Sequence, residues 1–320
     1  MKYGIYYAYW AREWGGDFLP FISKVKRLGF DVLEVNCGSF PERDDSYFRE
    51  LRRVSEGEGV LLSGGYGPRP EHNLSSADPA LIEGAFRFWA DVFHKMELSG
   101  IDRVGGALYS YWPVDFRNGF NKAEDTQRSI ENIRKLAGLA AVHGITLNME
   151  VLNRFEGYML NECEEAVCYV KAVGKSNLMM EVVCRYEGYL INTAEEGVAF
   201  LKELGKENVR LILDTFHMNI EEDSLTEAIR KAGGLLGHIH IGEANRRPPS
   251  AQGRIPWKNI GQALKDVGYD QYVVMEPFER MGGQVGKDIS IWRDLSHGAT
   301  EKDLDVTAAQ SVEYIRSLWG

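Results

Sequence analysis

Long hydrophobic runs are missing from this chain. Nowhere do roughly 18 apolar residues follow one another, so no segment is long enough to span a bilayer as a helix. The opening Met1-Lys2-Tyr3-Gly4-Ile5-Tyr6-Tyr7 lacks the apolar stretch of a secretory signal. Cysteine is scarce: Cys37, Cys163, Cys168 and Cys184 form no C-x-x-C pair and have no histidine at zinc-finger spacing. They read as reduced thiols in a cytoplasmic protein. Positive charge is also in deficit, with Lys+Arg 37 against Asp+Glu 47 and a net charge of −10. That balance disfavours nucleic acid and anionic membranes as partners. The most basic stretch, Arg49-Glu50-Leu51-Arg52-Arg53, reads as one solvated helix face. No G-x-G-x-x-G follows the first strand, which weakens a dinucleotide-binding reading.

What is present is regular. The hydrophobic fraction is 44% and the charged fraction 26%, as in an ordinary globular protein, and 320 residues suit one large barrel domain over 1–320. β-rich runs alternate with amphipathic helical stretches from end to end. Strands are expected at Tyr3–Tyr7, Asp31–Val35, Val60–Gly64, Arg103–Ala107, Ile145–Glu150, Leu178–Val183, Val209–Leu213, Gly237–Ile241 and Tyr272–Met275. Such alternation without a polar linker predicts a parallel sheet with helical crossovers, and a TIM-type (β/α)8 barrel is favoured.

Nine such units exceed the eight of that barrel, and the surplus has a visible origin. Met149-Glu150-Val151-Leu152-Asn153-Arg154-Phe155-Glu156-Gly157-Tyr158 recurs as Met180-Glu181-Val182-Val183-Cys184-Arg185-Tyr186-Glu187-Gly188-Tyr189, 31 residues on. Residues 149–180 and 180–211 share 15 identities in 32 positions, where average usage gives roughly two. One strand–helix unit reads as duplicated in tandem, with the extra segment at about 157–187.

Catalytic side chains in a parallel barrel come from the C-terminal ends of strands. In order, those ends offer Glu150; Asp214 with His217; His238, His240 and Glu243; and Glu276. Carboxylate, carboxylate, imidazole and carboxylate at successive tips would converge, and an O/O/N/O set suits Mn²⁺, Co²⁺ or Mg²⁺ better than structural zinc. His238 and His240 are two apart on one strand and share a face, so only one need reach the ion.

Met-Glu-Val-Leu-Asn-Arg-Phe-Glu, Leu-Asp-Thr-Phe-His-Met-Asn-Ile-Glu-Glu, Gly-His-Ile-His-Ile-Gly-Glu-Ala-Asn-Arg and Val-Met-Glu-Pro-Phe resemble the ketose 3-epimerases, the D-tagatose and D-allulose (D-psicose) 3-epimerase group of the xylose-isomerase-like barrels. Gly-Gly-Ala-Leu-Tyr-Ser-Tyr-Trp-Pro at 105–113 is similar too. The resemblance implies Mn²⁺ or Co²⁺ (with Mg²⁺ as a substitute) held by Glu150, Asp214, His240 and Glu276, with Glu150 and Glu276 moving protons. It implies hydrogen bonds to the sugar from Glu156, His217 and Arg246, and pocket walls of Tyr6, Ala107, Trp112 and Phe278. It further implies a free ketose as substrate and a homodimer or homotetramer. The chemistry follows: inverting C3 means removing a proton beside the C2 carbonyl and returning one to the opposite face, through a cis-enediolate flanked by two carboxyl groups.

The repeat makes Glu181 a rival to Glu150, and Glu187 a rival to Glu156. Glu181 lies 33 residues before Asp214, the separation the resembling family implies, whereas Glu150 lies 64 before it. Three arrangements are open. Glu150 stays in an eight-stranded wall while 157–187 bulges out; Glu181 takes the role and the earlier copy is extruded; or the barrel has nine strands. The family-like Asn153-Arg154-Phe155-Glu156 favours the first. Rival functions are an aldose–ketose isomerase on the same barrel, a metal-binding barrel disabled by the extra unit, and an abasic-site endonuclease, which the acidic charge disfavours.

Overall fold

The computed structural model describes residues 1–150, 152, 156–161, 163–174, 177–188, 191–205 and 209–320. Nine parallel strands form the wall: β1 Lys2–Tyr6, β2 Val32–Asn36, β3 Leu61–Gly65, β4 Arg103–Gly106, β5 Thr146–Met149, β6 Asn177–Val182, β7 Val209–Asp214, β8 Leu236–Ile241 and β9 Tyr272–Met275. They pair in sequence order, and β9 closes on β1 through Lys2↔Tyr272 to Ile5↔Met275. The helices outside are α1 Leu19–Leu28, α2 Asp45–Glu58, α3 Pro79–Ser99, α4 Lys122–Val142, α5 Cys163–Val173, α6 Ala194–Leu204, α7 Thr215–Glu221, α8 Leu225–Ala232, α9 Trp257–Asp266, α10 Gly283–Asp288 and α11 Glu301–Trp319. None of the described helices is long and apolar enough to cross a membrane.

Helix boundaries follow local chemistry. Asp44, Asp78, Asn121, Thr193 and Thr300 accept first-turn N–H groups at the starts of α2, α3, α4, α6 and α11. Gly29, Gly59, Gly100 and Gly205 take left-handed φ at helix ends, where a side chain would be strained.

All nine expected strands form, each within about two residues of its expected bounds. The excursion favoured from the sequence does not. β5 pairs with β4 and β6, and β6 pairs with β7, so both copies of the repeat stand in the wall. Extruding either copy would strip a strand of its ladder partners. It would also uncover α5, whose Ala166, Tyr169, Val170 and Val173 are buried. Tyr169 shares a hydrogen bond with Ser129 of α4 (2.7 Å), and the Arg134 guanidinium donates to the Ala172 carbonyl (2.7 Å). The β5–β6 seam is short among the described residues: two register pairs, Asn148↔Asn177 and Met149↔Leu178, as many as between β3 and β4 and against five between β6 and β7.

A ninth strand widens the barrel beyond what side chains fill. Outward residues Val104, Leu147, Leu211, Leu213, Ile239 and Val273 are fully covered by helices. Inward Arg103, Asn148, Ile212, His238 and Tyr272 keep partial exposure and line a cavity of 1480 Å³. That cavity runs from strand starts (Gly237, Gln271, Tyr272) to the aromatic mouth beyond the strand ends (Trp14, Trp112, Phe278).

Closure at β9–β1 depends on α11. Trp319 is fully buried, donates to the Trp257 carbonyl (2.7 Å) and lies against Gly261 of α9, where an added Cβ would meet its ring at 2.1 Å. Gly261→Val is therefore expected to cost about 1–3 kcal/mol through overpacking. Thermal unfolding should show a Tm several degrees lower; an unchanged Tm would contradict the contact.

Candidate active site and metal centre

Each strand delivers its last residues to the same rim. Asp214 ends β7 and caps α7, its Oδ1 accepting the Phe216 N–H at 2.8 Å. His240 lies near the end of β8, Glu276 directly follows β9, Glu181 lies in β6 and Glu150 directly follows β5. Donor atoms of Glu181, Asp214 and His240 fall within 4.8 Å of one another. His240 Nδ1 is 3.8 Å from Glu181 Oε1 and 3.8 Å from Glu276 Oε2. It is buried and has no hydrogen-bond partner, an uncommon state for such an atom. Arg246 Nη1 donates to Asp214 Oδ2 (2.7 Å) and Glu276 Oε2 (2.9 Å).

Glu150 stands apart from the trio. β6 is hydrogen-bonded to β7, which carries Asp214, whereas β5 is two strands away, at roughly 4.8 Å per strand. Glu150 instead shares a side-chain hydrogen bond with Glu181. Burial, then the neighbouring Glu181 charge, pushes Glu150 well above the usual carboxylate range, so it holds the proton. Burial acts to raise Glu181 as well, but the adjacent His240 imidazole and the charge of His217 outweigh burial and keep it ionised. Glu276 is pushed up to about 7, mainly by burial, against the pull of His240 and Arg246. Burial disfavours charge on His240, yet Glu276 and Glu181 raise it to about 10. His238, its ring centroid 4.7 Å from that of His240, is driven well below the ordinary histidine value by burial and the adjacent imidazole. Of the two histidines, His240 is the one among the acids.

Crowded anionic oxygens and one imidazole nitrogen, largely shielded from water, are the donor chemistry of an oxygen-preferring dication. Glu181, Asp214, His240 and Glu276 fit such an ion on that ground.

The expected sugar-binding residues line the same cavity. Tyr6 meets Phe278 edge-on at 6.3 Å, and Trp112 meets Trp14 likewise at 6.3 Å. Trp112 Nε1 donates to Glu156 (3.1 Å), and Ala107 is buried beyond the end of β4. His217 Nε2 is 3.7 Å from Glu187, which is partly open to the mouth. Arg246 sits in the left-handed region (φ 62°) in the loop after β8, and its carbonyl accepts the Phe278 N–H (2.9 Å). That loop is pinned by buried Glu243, which accepts the Ser250 N–H (3.0 Å), the Arg254 N–H (3.1 Å) and Trp257 Nε1 (2.8 Å). Gly253 crosses so near the Glu243 carboxylate that a Cβ would overlap it at 1.9 Å. Asn153, Arg154 and Phe155, named in the repeat, lie outside the described residues.

Sequence reasoning missed Glu34, which faces the cavity from β2 and accepts the Ser63 hydroxyl at 3.0 Å. A lone acid inside Val32-Leu33-Glu34-Val35 was the available signal. It also missed the Arg246 bridge to Asp214 and Glu276, since no spacing reveals a loop side chain turning back into the barrel.

A sequence profile described as the xylose isomerase-like TIM barrel matches residues 22–180 and 177–295. The two stretches overlap at the junction of the repeat. The chain belongs to this family and, within it, to the ketose 3-epimerases. It is 45% identical over 316 residues to D-psicose 3-epimerase of Ruminiclostridium cellulolyticum, covering 99% of this chain and 97% of that one. It is 43% identical over 320 residues to D-psicose 3-epimerase of Agrobacterium fabrum, covering 100% of both. A solved D-psicose 3-epimerase with D-tagatose from Clostridium cellulolyticum H10 superposes with a TM-score of 0.76 at 45% identity, covering 100% of this chain and 99% of that one.

Burial disfavours a charged His217, but Cys184, Asp214 and Glu181 raise it to about 9. With His240 near 10, both rings hold protons at neutral pH in the metal-free protein. A histidine raised on folding contributes stability that is complete below its unfolded value and lost as pH climbs through its folded value. The metal-free Tm should therefore fall between about pH 6.5 and 10, and His217→Gln should flatten the fall. An equally steep fall in the variant would contradict this assignment.

Proposed function

We propose that this protein epimerises free ketoses at C3, interconverting D-fructose with D-allulose or D-tagatose with D-sorbose, at a dication held by Glu181, Asp214, His240 and Glu276. The supporting observation is the placement of Glu181 and Glu276, each 3.8 Å from His240 Nδ1 and reaching it from different strands. The bound dication supplies Lewis acidity to the C2 carbonyl, lowering the barrier to C3–H removal.

The remaining work belongs to side chains. Two carboxyl groups flanking C3 must differ in protonation, one to accept and one to donate. Glu181 is held ionised and Glu276 is raised toward neutrality, which gives such a pair near neutral pH. Glu150, protonated, donates to Glu181 and orients it. Glu156, Glu187, His217 and Arg246 offer hydrogen bonds to sugar hydroxyls, and Tyr6, Trp112, Phe278 and the Ala107 loop exclude water. This reading gives Glu181 the role for which Glu150 was favoured from the sequence. Mn²⁺ or Co²⁺ is the proposed ion. Residues 157–187 are read as the added unit, and the enzyme as a cytoplasmic homodimer or homotetramer.

Incubation of D-fructose with the Mn²⁺-loaded protein should yield D-allulose by chromatography; an aldose product would indicate an aldose–ketose isomerase instead. At saturating Mn²⁺, Glu276→Gln should lower kcat by at least about a hundredfold, the general acid–base contribution. Undiminished turnover would remove the two-carboxylate scheme. Glu150→Gln, which removes the partner that orients Glu181, should weaken Mn²⁺ binding by about 10–100-fold, and Glu181→Gln should weaken it further. The reverse order, read by calorimetric titration, would return the ligand role to Glu150.

A further inference from the structure

Glu243 is a buried acid with no part in the proposed proton transfers, and it does not line the cavity. It follows the end of β8 by two residues. Its Oε1 accepts the Ser250 N–H and Trp257 Nε1, and its Oε2 accepts the Arg254 N–H, so one side chain ties down the whole loop that follows. Its backbone closes the turn at the start of that loop: the N–H donates to the Arg247 carbonyl (2.8 Å) and the carbonyl accepts the Arg246 N–H (2.9 Å). Two further anchors flank the turn. Thr215 Oγ1 donates to the Gly242 carbonyl (2.7 Å) and accepts the Gly242 N–H (2.9 Å). Arg247 Nε donates to Glu279 Oε1 (2.9 Å), and Glu279 is itself buried. Within this turn Arg246 has a left-handed φ of 62°, a conformation that a side chain disfavours. Such a residue persists only where its surroundings over-determine it.

We infer that Glu243 is a positioning residue for Arg246: by fixing the loop after β8 from within, it holds Arg246 in the left-handed conformation that turns the guanidinium back into the barrel. There the guanidinium bridges Asp214 and Glu276 and lies over the Phe216 ring at 4.1 Å. The catalytic consequence rests on the proposed role of Arg246 as a hydrogen-bond donor to the sugar. A contact displaced by about an ångström can cost a hundredfold in rate. The chemistry at position 243 is demanding. All three partners are donors, so the amide NH2 of Glu243→Gln would face one of them and at least one bond would be lost. Gly253 presses on the same anchor from the other side. Its φ is ordinary, so Gly253→Ala brings no backbone strain, but the added Cβ would overlap the Glu243 carboxylate.

The test is a double-mutant cycle between Glu243 and Arg246 in the Mn²⁺-loaded protein, read as kcat and KM for D-fructose. Glu243→Ala should lower kcat/KM by about a hundredfold, chiefly by raising KM. Arg246→Ala should lower it comparably, and adding Glu243→Ala to Arg246→Ala should cost no more than about a further twofold. A merely structural role would weaken both backgrounds alike, so equal losses with and without Arg246 overturn the proposal. Glu243→Gln and Gly253→Ala, which keep more of the loop's bonds, should show the same coupling with smaller losses and decide the matter should Glu243→Ala not fold. The geometry is also read without turnover. In metal-free crystals of Glu243→Ala, or of Gly253→Ala if the first does not fold, the Arg246 guanidinium should no longer bridge Asp214 and Glu276. A bridge unchanged from the wild-type distances overturns the proposal whether or not the protein epimerises ketoses. A wild type inactive on ketoses would instead remove the proposed function and leave this readout standing.

Discussion

Negative charge forced together in a poorly hydrated space is the constraint from which the rest of this molecule takes its sense. Glu150, Glu181, Asp214 and Glu276 meet at one end of the barrel, with the imidazoles of His240 and His217 and the Arg246 guanidinium to compensate them. Isolated, such a group of carboxylates would be costly to bury. The structure meets the cost in three ways: Glu150 keeps its proton, His240 gains one, and Arg246 folds back to bridge Asp214 and Glu276. All three are responses that a bound dication would make unnecessary. The same crowding separates the protonation states of Glu181 and Glu276, which proton transfer at one carbon requires.

The barrel makes that crowding possible and also loosens it. Parallel pairing in strict sequence order sends every strand end to one rim, so residues far apart in the chain arrive together. The ninth strand puts Glu150 and Glu181 side by side on β5 and β6, and Glu181 is the one on the strand next to β7 and Asp214. Donor atoms of Glu181, Asp214 and His240 lie within 4.8 Å of one another, and Glu150 shares a side-chain hydrogen bond with Glu181. The cost appears in the lumen, where inward side chains no longer meet across the axis and Arg103, Asn148 and His238 remain in contact with the cavity.

Much of this was legible in the residues. β-rich runs alternating with amphipathic helical stretches located all nine strands, and Asp214, His240 and Glu276 were read at their ends. Long motifs indicated the family, because a sequence such as Leu-Asp-Thr-Phe-His-Met-Asn-Ile-Glu-Glu is too specific to recur by chance. Strand number was harder. The repeat raised the expectation of an extra unit but not of where it would go, since that depends on whether the α5 stripe finds cover on α4. The nearness of Glu181, rather than Glu150, to Asp214 and His240 was hidden for the same reason: local sequence around the first copy looked more like the family and carries no sign of which strands are neighbours. The Arg246 bridge to Asp214 and Glu276 escaped because it arises from a loop that returns into the barrel, a property of tertiary packing rather than of spacing.

The most direct measurement is anomalous scattering from a crystal of this protein soaked in manganese. The account predicts one strong peak within bonding distance of Glu181, Asp214, His240 and Glu276, with Arg246 withdrawn from the two acids it bridges. A peak coordinated by Glu150 in place of Glu181, or a peak distant from Asp214 and His240, would contradict it.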